Sequence, residues 1–446
     1  NGGSQALIVR VHNGATAAKA TVPAGGINLI AVNAGAWGNS LRARVDLPNR
    51  PPPFAGPSGL FNLSVKDLAT GWIEVFNDLS TDSKSEAFVT SVLENQSQLV
   101  LVDGPAPANT PPANAAPAAG ADRFADPTAT SFDGGGDGAD ITDAQISDSG
   151  LRSKNGGLWT LEQADLFNLL CIPPLKRRGG DVGKQSWDAA IAYAKSRRAF
   201  VIVDPRESWA SANDVLSGVA SLVMAGDNAA IYFPRILASD PLTEAVDSFA
   251  PGGAIAGIFA ETDINRGVWT APAGTQAVLQ GASGLSLGGS MSAGKLTDID
   301  SEKLNPAGIN ALRNFPTAGT VVWGARTLDG ADALASEWKY IPVRRLAFYI
   351  EESVFRGTQW AVFEPNAPAL WTQITLSADA FMQTLFKQGA FKGQPPDQAY
   401  FVRCDSTTTT PADTANGVIN IEIGFAPVRP AEFVIISIQQ MSNQGS

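Results

Sequence analysis

One histidine, His12, and two cysteines, Cys171 and Cys404, are all that the 446-residue chain offers to imidazole and thiol chemistry. Ser-His-Asp catalysis needs an imidazole to take and return a proton. His12 lies near the start of the chain in no nucleophile motif, so it reads as a polar residue at a strand end. The two cysteines are far apart, match neither a metal-ligand spacing nor a disulfide framework, and read as small buried hydrophobes. No apolar run approaches the ~18 residues of a bilayer-spanning helix. Positive charge is in deficit too: 32 Lys and Arg against 43 Asp and Glu give a net charge of −11. That balance argues against a nucleic-acid binder, which needs a basic face to neutralise phosphates.

The motifs of small-molecule chemistry are incomplete in the same way. Gly179-Gly180-Asp181-Val182-Gly183-Lys184-Gln185 fails the phosphate loop at its last position, and Gly281-Ala282-Ser283-Gly284 lacks the final glycine spacing of a nucleophile elbow. Counting twelve positions from Asp133 reaches Ala144, where an EF-type calcium loop needs Glu. Glu351 and Glu352 are adjacent on a helical pattern and point in different directions, which suits a solvated face better than a glycosidase pair. No catalytic, cofactor-binding or metal site emerges, and the chain does not read as an enzyme. A carbohydrate-binding role for Trp37 and Trp72 is the alternative binding function, set against the more usual place of tryptophan in a core.

What is present is core material, with 44% hydrophobic residues including 10 Trp and 21 Phe. A chain of 446 residues exceeds what one hydrophobic core usually supports, so roughly two to four domains are expected. Residues 6–11 read as a buried strand. From Gly26 short β-like runs at 27–32, 41–47, 60–66, 71–76 and 98–102, with a short helix at 85–93, predict a small β-rich domain over 26–102. Residues 103–140 turn to Pro/Ala and then Gly/Asp, the composition of a linker or long exposed loop. Strands at 167–172, 199–203 and 229–233 alternate with helices at 186–196 and 212–224. This is the pattern of βαβ units with a mostly parallel sheet. The 141–319 domain is completed by a loop and a short helix over 306–313, and a last α+β domain occupies 320–446.

In that last domain Val343, Leu346, Ala347, Ile350 and Val354 form one apolar helical stripe, and Arg345, Tyr349, Glu352 and Arg356 form the opposite, charged one. Ser377 is the expected cap of a second helix whose Phe381, Met382, Leu385 and Phe386 are core. Strands follow at 418–425 and 432–440, the latter carrying Phe433, Val434, Ile435, Ile436 and Ile438. Pro427 and Pro430 stiffen the connection and prevent a tight hairpin. A terminal β-branched strand of this kind is suited to joining the sheet edge of another molecule.

Five strings of the chain are similar, in order and spacing, to one family. They are Leu161-Glu162-Gln163-Ala164-Asp165-Leu166-Phe167 with its continuation to Pro174, Gly267-Val268-Trp269-Thr270-Ala271-Pro272-Ala273-Gly274, and Asn305-Pro306-Ala307-Gly308-Ile309-Asn310. The last two regions are Val322-Trp323-Gly324-Ala325-Arg326-Thr327-Leu328 with Tyr340-Ile341-Pro342-Val343-Arg344-Arg345-Leu346, and Gly424-Phe425-Ala426-Pro427-Val428-Arg429-Pro430-Ala431-Glu432-Phe433-Val434. Together they resemble the sheath protein of contractile phage tails and related injection systems. The resemblance implies an α/β and α+β multidomain fold, with a core layered like subtilisin but without its chemistry. The 26–102 domain becomes a peripheral β-rich insertion, and the 320–446 domain faces an inner tube. Residues 1–25 become the start of the core, with an N-terminal arm expected ahead of them. Arg345, Tyr349, Glu352 and Arg356 are then tube-facing, the strand from Phe433 to Ile438 is an arm exchanged between subunits, and Pro427 and Pro430 are its hinge. The implied partners are further copies in a helical sheath, the inner tube protein, and baseplate and tail-terminator proteins, with neither nucleic acid nor membrane insertion. Assembly is expected in the bacterial cytoplasm, within a phage tail or phage-like particle.

Overall fold

The computed structural model describes residues 3–48 and 59–432. The chain divides into two compact units: residues 10–141 form one, and residues 1–9 with 142–446 form the other. The first is therefore an insertion into the second along the chain.

The inserted unit is β-rich. Strands β1 (Lys19–Val22), β2 (Ile27–Ala31), β3 (Leu41–Asp46), β4 (Phe61–Asp67) and β5 (Ile73–Leu79) precede helix α1 (Val89–Gln96), and β6 (Val100–Val102) and β7 (Thr130–Ser131) follow. They build a three-stranded sheet, order β1-β2-β6, and a four-stranded sheet, order β5-β4-β3-β7. Alternation decides which faces meet: Leu41, Ala43 and Val45 of β3 and Phe61, Leu63 and Val65 of β4 are fully buried against Ile27, Leu29, Val89 and Leu93.

The segment 103–140 is a long loop, exposed over most of its length and holding only the two-residue strand β7, but it is anchored to the unit at several points and is not a free linker. It packs back on the outer face of β3 and β4, because that face carries charges that need partners. Arg44 is buried there, and its Nη1 donates to the carbonyls of Arg123 (3.0 Å) and Thr128 (3.2 Å). Arg123 pairs with Asp46 at 2.8 Å, and Phe124 lies under both Lys66 and Arg123. Asn114 exchanges two hydrogen bonds with the backbone of Val45, each 2.8 Å. The Gly/Asp run then bridges to Lys19, Thr16 and Asn13. At Gly138 (φ +80°) a Cβ would stand 2.2 Å from the Asn13 carbonyl, so this approach admits only glycine.

In the main unit the strands are β8 (Leu169–Cys171), β9 (Phe200–Val203), β10 (Ala229–Phe233), β11 (Arg235–Ser239), β12 (Val246–Phe249), β13 (Ala282–Ser286), β14 (Ile309–Phe315), β15 (Gly319–Trp323), β16 (Tyr400–Arg403) and β17 (Glu422–Phe425). The helices are α2 (Asp143–Ser147), α3 (Lys184–Ser196), α4 (Ala212–Leu222), α5 (Gly252–Arg266), α6 (Asp298–Leu304), α7 (Ile341–Gly357), α8 (Pro368–Lys387) and α9 (Pro411–Ala415). The central sheet has order β15-β14-β10-β9-β8, with β8, β9, β10 and β14 parallel and β15 antiparallel. Every residue of β9 and β10 is buried, as expected of parallel strands covered on both faces. One face packs on α5 and on the β12-β11-β13 sheet through Phe200, Ile202, Tyr232, Ile255, Phe259 and Leu285.

Several expectations need correction here. Residues 306–313 hold no α-helix: 309–315 are the strand β14, buried on both faces over Ile309–Arg313 and so without a readable period. The boundary at 319/320 would cut between β14 and β15, which are antiparallel neighbours in one sheet. Residues 6–11 form no strand, and Leu7 and Ile8 are exposed, since among the described residues no strand pairs with them. Ser377 caps nothing: α8 begins at Pro368, whose fixed φ suits a first helical turn, and Leu370, Trp371 and Ile374 extend its apolar face upstream. Among the described residues no helix is long and apolar enough to cross a membrane.

Candidate functional site

Helix α7 organises the candidate surface. Pro342 sits in its first turn, and the apolar stripe Val343, Leu346, Ala347 and Ile350 is buried. Leu346 and Ile350 pack on Met382 and Leu385 of α8 and on Tyr400 of β16. The first two turns, however, are enclosed on every side, including their arginines. Arg344 lies over the rings of Phe348 (3.9 Å) and Trp338 (4.6 Å) and pairs with Asp227 at 3.1 Å.

Arg345 is correspondingly not part of an exposed charged stripe. Its side chain is 6% exposed, lies over Phe259, and donates from Nη1 and Nη2 to the two carboxylate oxygens of Asp263 at 2.8 and 2.6 Å. The physical reason is remote pairing: α5 supplies both a carboxylate and an aromatic face, which together make a buried guanidinium tolerable. Glu352 and Arg356, one turn apart, pair with each other at 2.7 Å. They also reach outward along the unit: Glu352 accepts from Arg198 at 2.9 Å, and Arg356 donates to Asp165 at 2.8 Å. Hydrogen bonding by Asp165 and Glu352 raises the Arg356 guanidinium further above its ordinary range, and Arg356 in turn lowers the carboxyl of Asp165. Tyr349 is exposed.

The four residues nevertheless come together. With Arg198 and Trp269 they line a cleft of about 550 Å³ beside α7. Trp269 belongs to the 267–274 string, and its placement depends on Gly267, which ends α5 at φ +85°; a Cβ there would fall 2.4 Å from the indole ring. The strand carrying Phe433, Val434, Ile435, Ile436 and Ile438 lies outside the described residues. Its approach is described: Ala426 donates to Ala399 and accepts from Lys392, each at 2.8 Å, and Pro427 bridges to Phe391.

Buried carboxyl chemistry that the sequence did not flag sits at the end of β9. Asp204 is held under the first turn of α5, accepting from the Gly252 N–H at 2.7 Å. Burial pushes its carboxyl up to about 7, against the opposing pull of that N–H and of Arg235. Nearby Cys171 donates to the Gly252 carbonyl at 3.6 Å, and burial together with Asp204 pushes its thiol up to about 12, which makes it an unreactive hydrophobe.

The comparisons with known proteins match this architecture. Residues 185–328 match the phage tail sheath protein central domain, and residues 335–441 match the phage tail sheath C-terminal domain. A putative prophage major tail sheath protein of Pseudomonas aeruginosa (strain UCBPP-PA14) is 27% identical over 252 residues. That alignment covers 55% of this chain and 53% of the relative, so the chain spans about half the length of the curated protein it matches. Among solved structures, a chain of the anti-feeding prophage baseplate is 32% identical with a TM-score of 0.51, covering 63% of this chain and 71% of that one. A chain of the PVC sheath complex, an extracellular contractile injection system in its contracted state, is 30% identical with a TM-score of 0.51, covering 64% and 73%. The class is thus a sheath built from a central and a C-terminal domain. The chain belongs to the contractile tail sheath protein family.

Proposed function

We propose that the protein is a structural subunit that polymerises helically around an inner tube and contracts to drive that tube through a target envelope. The observation that carries this reading is the likeness to the chain of the contracted PVC sheath complex over 73% of that chain's length. Head-to-tail contacts that do not close into a ring generate such a helical tube. Contraction would then draw on the difference between two packings of the same subunits, and packed cores favour switching between discrete arrangements over continuous deformation.

Within this reading the outward part of α7, Tyr349 with Glu352 and Arg356, faces the tube, while Arg345 holds the helix to α5. Residues 433–446 join a neighbouring copy by strand addition, with Phe433, Val434, Ile435, Ile436 and Ile438 as the paired run. The two-stranded β16–β17 sheet, which is marginal alone, is a candidate acceptor. The β-rich stretch 26–102 would lie at the outer surface of the assembled sheath. Baseplate and tail-terminator proteins would contact the ends of the lattice, and assembly would take place in the bacterial cytoplasm before the particle acts as a phage tail or a phage-derived injection device. Electron microscopy of the purified protein tests the assembly: hollow tubes or stacked rings are expected. Monomers at all concentrations, with or without tube protein, would refute it.

A further inference from the structure

Three of the segments that carry the family resemblance meet in one buried ion cluster. Arg326 is 1% exposed, the most deeply buried arginine among the described residues. Its Nε and Nη2 donate to the two carboxylate oxygens of Glu432, each at 2.7 Å. Its Nη1 donates to the Gly330 carbonyl (3.2 Å) and to Asp332 (3.0 Å). The Tyr340 hydroxyl donates to the same Glu432 carboxylate at 3.1 Å.

The base of this cluster is rigid. The Arg326 N–H donates to the side chain of buried Asn310 at 2.7 Å. The Asn310 amide returns bonds to the carbonyls of Arg326 (2.8 Å) and Ile231 (3.1 Å), fixing Arg326 to β14 and β10. A bidentate guanidinium–carboxylate pair fixes orientation as well as distance, and losing either partner strands a buried charge. Glu432 is also the residue directly before the segment 433–446. Residues 427–431 are therefore held at both ends, by the Ala426 backbone bonds on one side and by Glu432 on the other.

We propose that Arg326, Tyr340 and Glu432 form a clamp that fixes where the terminal segment departs, so that the bend needed to reach a neighbouring copy lies beyond Glu432 and not at Pro427–Pro430. The clamp rests on the reading of 433–446 as a strand given to a second copy. Strand pairing is sensitive to register, since a slip of one residue exchanges the two faces. A fixed origin holds the segment at a high effective concentration near its acceptor. These are positioning residues: none of them needs to touch the neighbour.

The test uses the full chain, a truncation after Glu432, the paired replacement Arg326→Met/Glu432→Met, and the milder Tyr340→Phe and Glu432→Asp. Hydrogen exchange on the soluble subunit reads the clamp, and sedimentation reads the critical concentration for tube formation. The paired variant should lose protection across 422–432 and, beyond that, only around 330–332, where Arg326 also bonds, and should raise the critical concentration roughly tenfold or more. Tyr340→Phe and Glu432→Asp should move both readouts the same way by less, which keeps the test open if the paired variant misfolds. Unchanged protection across 422–432 in these variants overturns the clamp. So does normal assembly of the paired variant when the truncation cannot assemble. A truncation that assembles normally overturns the strand-donation reading instead, and the exchange data still judge the clamp alone.

Discussion

Replacing Arg345 by methionine should destabilise the main unit by about 3–5 kcal/mol, the usual cost of removing one partner from a buried, hydrogen-bonded ion pair. Two features set where in that range it falls. The Asp263 side chain left behind is 29% exposed, so water can recover part of its solvation, which favours the lower end. The guanidinium also lies 4.8 Å from the Phe259 ring centroid, and a desolvated cation–π contact adds about 2 kcal/mol to the loss. Neutralising both partners, as Arg345→Met/Asp263→Leu, should recover most of the stability, because a well-packed apolar pair can replace a buried ionic one. Urea unfolding followed by tryptophan fluorescence, with the cycle completed by Asp263→Leu, measures the coupling. Arg356→Gln, on the more exposed part of the stripe, keeps hydrogen-bonding capacity toward Glu352 and Asp165, should change stability far less than Arg345→Met, and is the variant that reports on tube recruitment. A change of under about 0.5 kcal/mol for Arg345→Met, the scale of ordinary surface substitutions, would refute the internal role of this arginine and return it to the exposed face.

Other outcomes follow from the same geometry. Asp204 keeps its proton in the folded state to about pH 7 but loses it near 3.8 when unfolded. Its contribution to stability should therefore fall as pH rises across that window and be flat above it; Asp204→Asn should flatten the slope and gain up to about 4 kcal/mol at pH 8, read by denaturant titration. An unchanged pH slope would contradict the buried carboxyl. Gly267→Ala should lower stability by more than about 1 kcal/mol, because the positive φ and the Trp269 ring both oppose a Cβ; an unchanged unfolding midpoint would count against it. Deleting 433–446 should leave the melting temperature of the soluble subunit nearly unchanged while preventing tube formation, and normal tubes would end the donated-strand account.

The sequence was most legible where one physical rule acted alone. Strands β3 and β4 alternate apolar and polar side chains along the sequence, and β2 nearly so, so their limits were read to within a residue or two. The runs of β9 and β10 were legible as apolar blocks. Strand β14 was not, since Ile309–Arg313 is buried throughout and Asn310 in its middle is satisfied only by the carbonyls of Ile231 and Arg326. Helix α5 escaped because Ile255, Ile258 and Phe259 are diluted by Gly253, Ala254, Ala256 and Gly257, which blurs the apolar stripe. Charge was the least legible feature. A helical wheel sends Arg345 to solvent, yet its partner Asp263 is 82 positions away, and the Glu432 that neutralises Arg326 is 106 positions away. Over 103–140 composition indicated a long exposed loop but not its anchoring, which comes from Arg44, Asp46 and Lys66 on the sheet beneath it.

Helical reconstruction of particles containing this chain, before and after contraction, tests the central claim most directly. The account predicts that the chain forms the layer around an inner tube in both states, that the β15-β14-β10-β9-β8 sheet with α5 and α7 superposes between them as one body, and that the Arg326–Glu432 pair is kept while the segment beyond it bends. A chain absent from that layer, or a core sheet rebuilt between the two states, would contradict it.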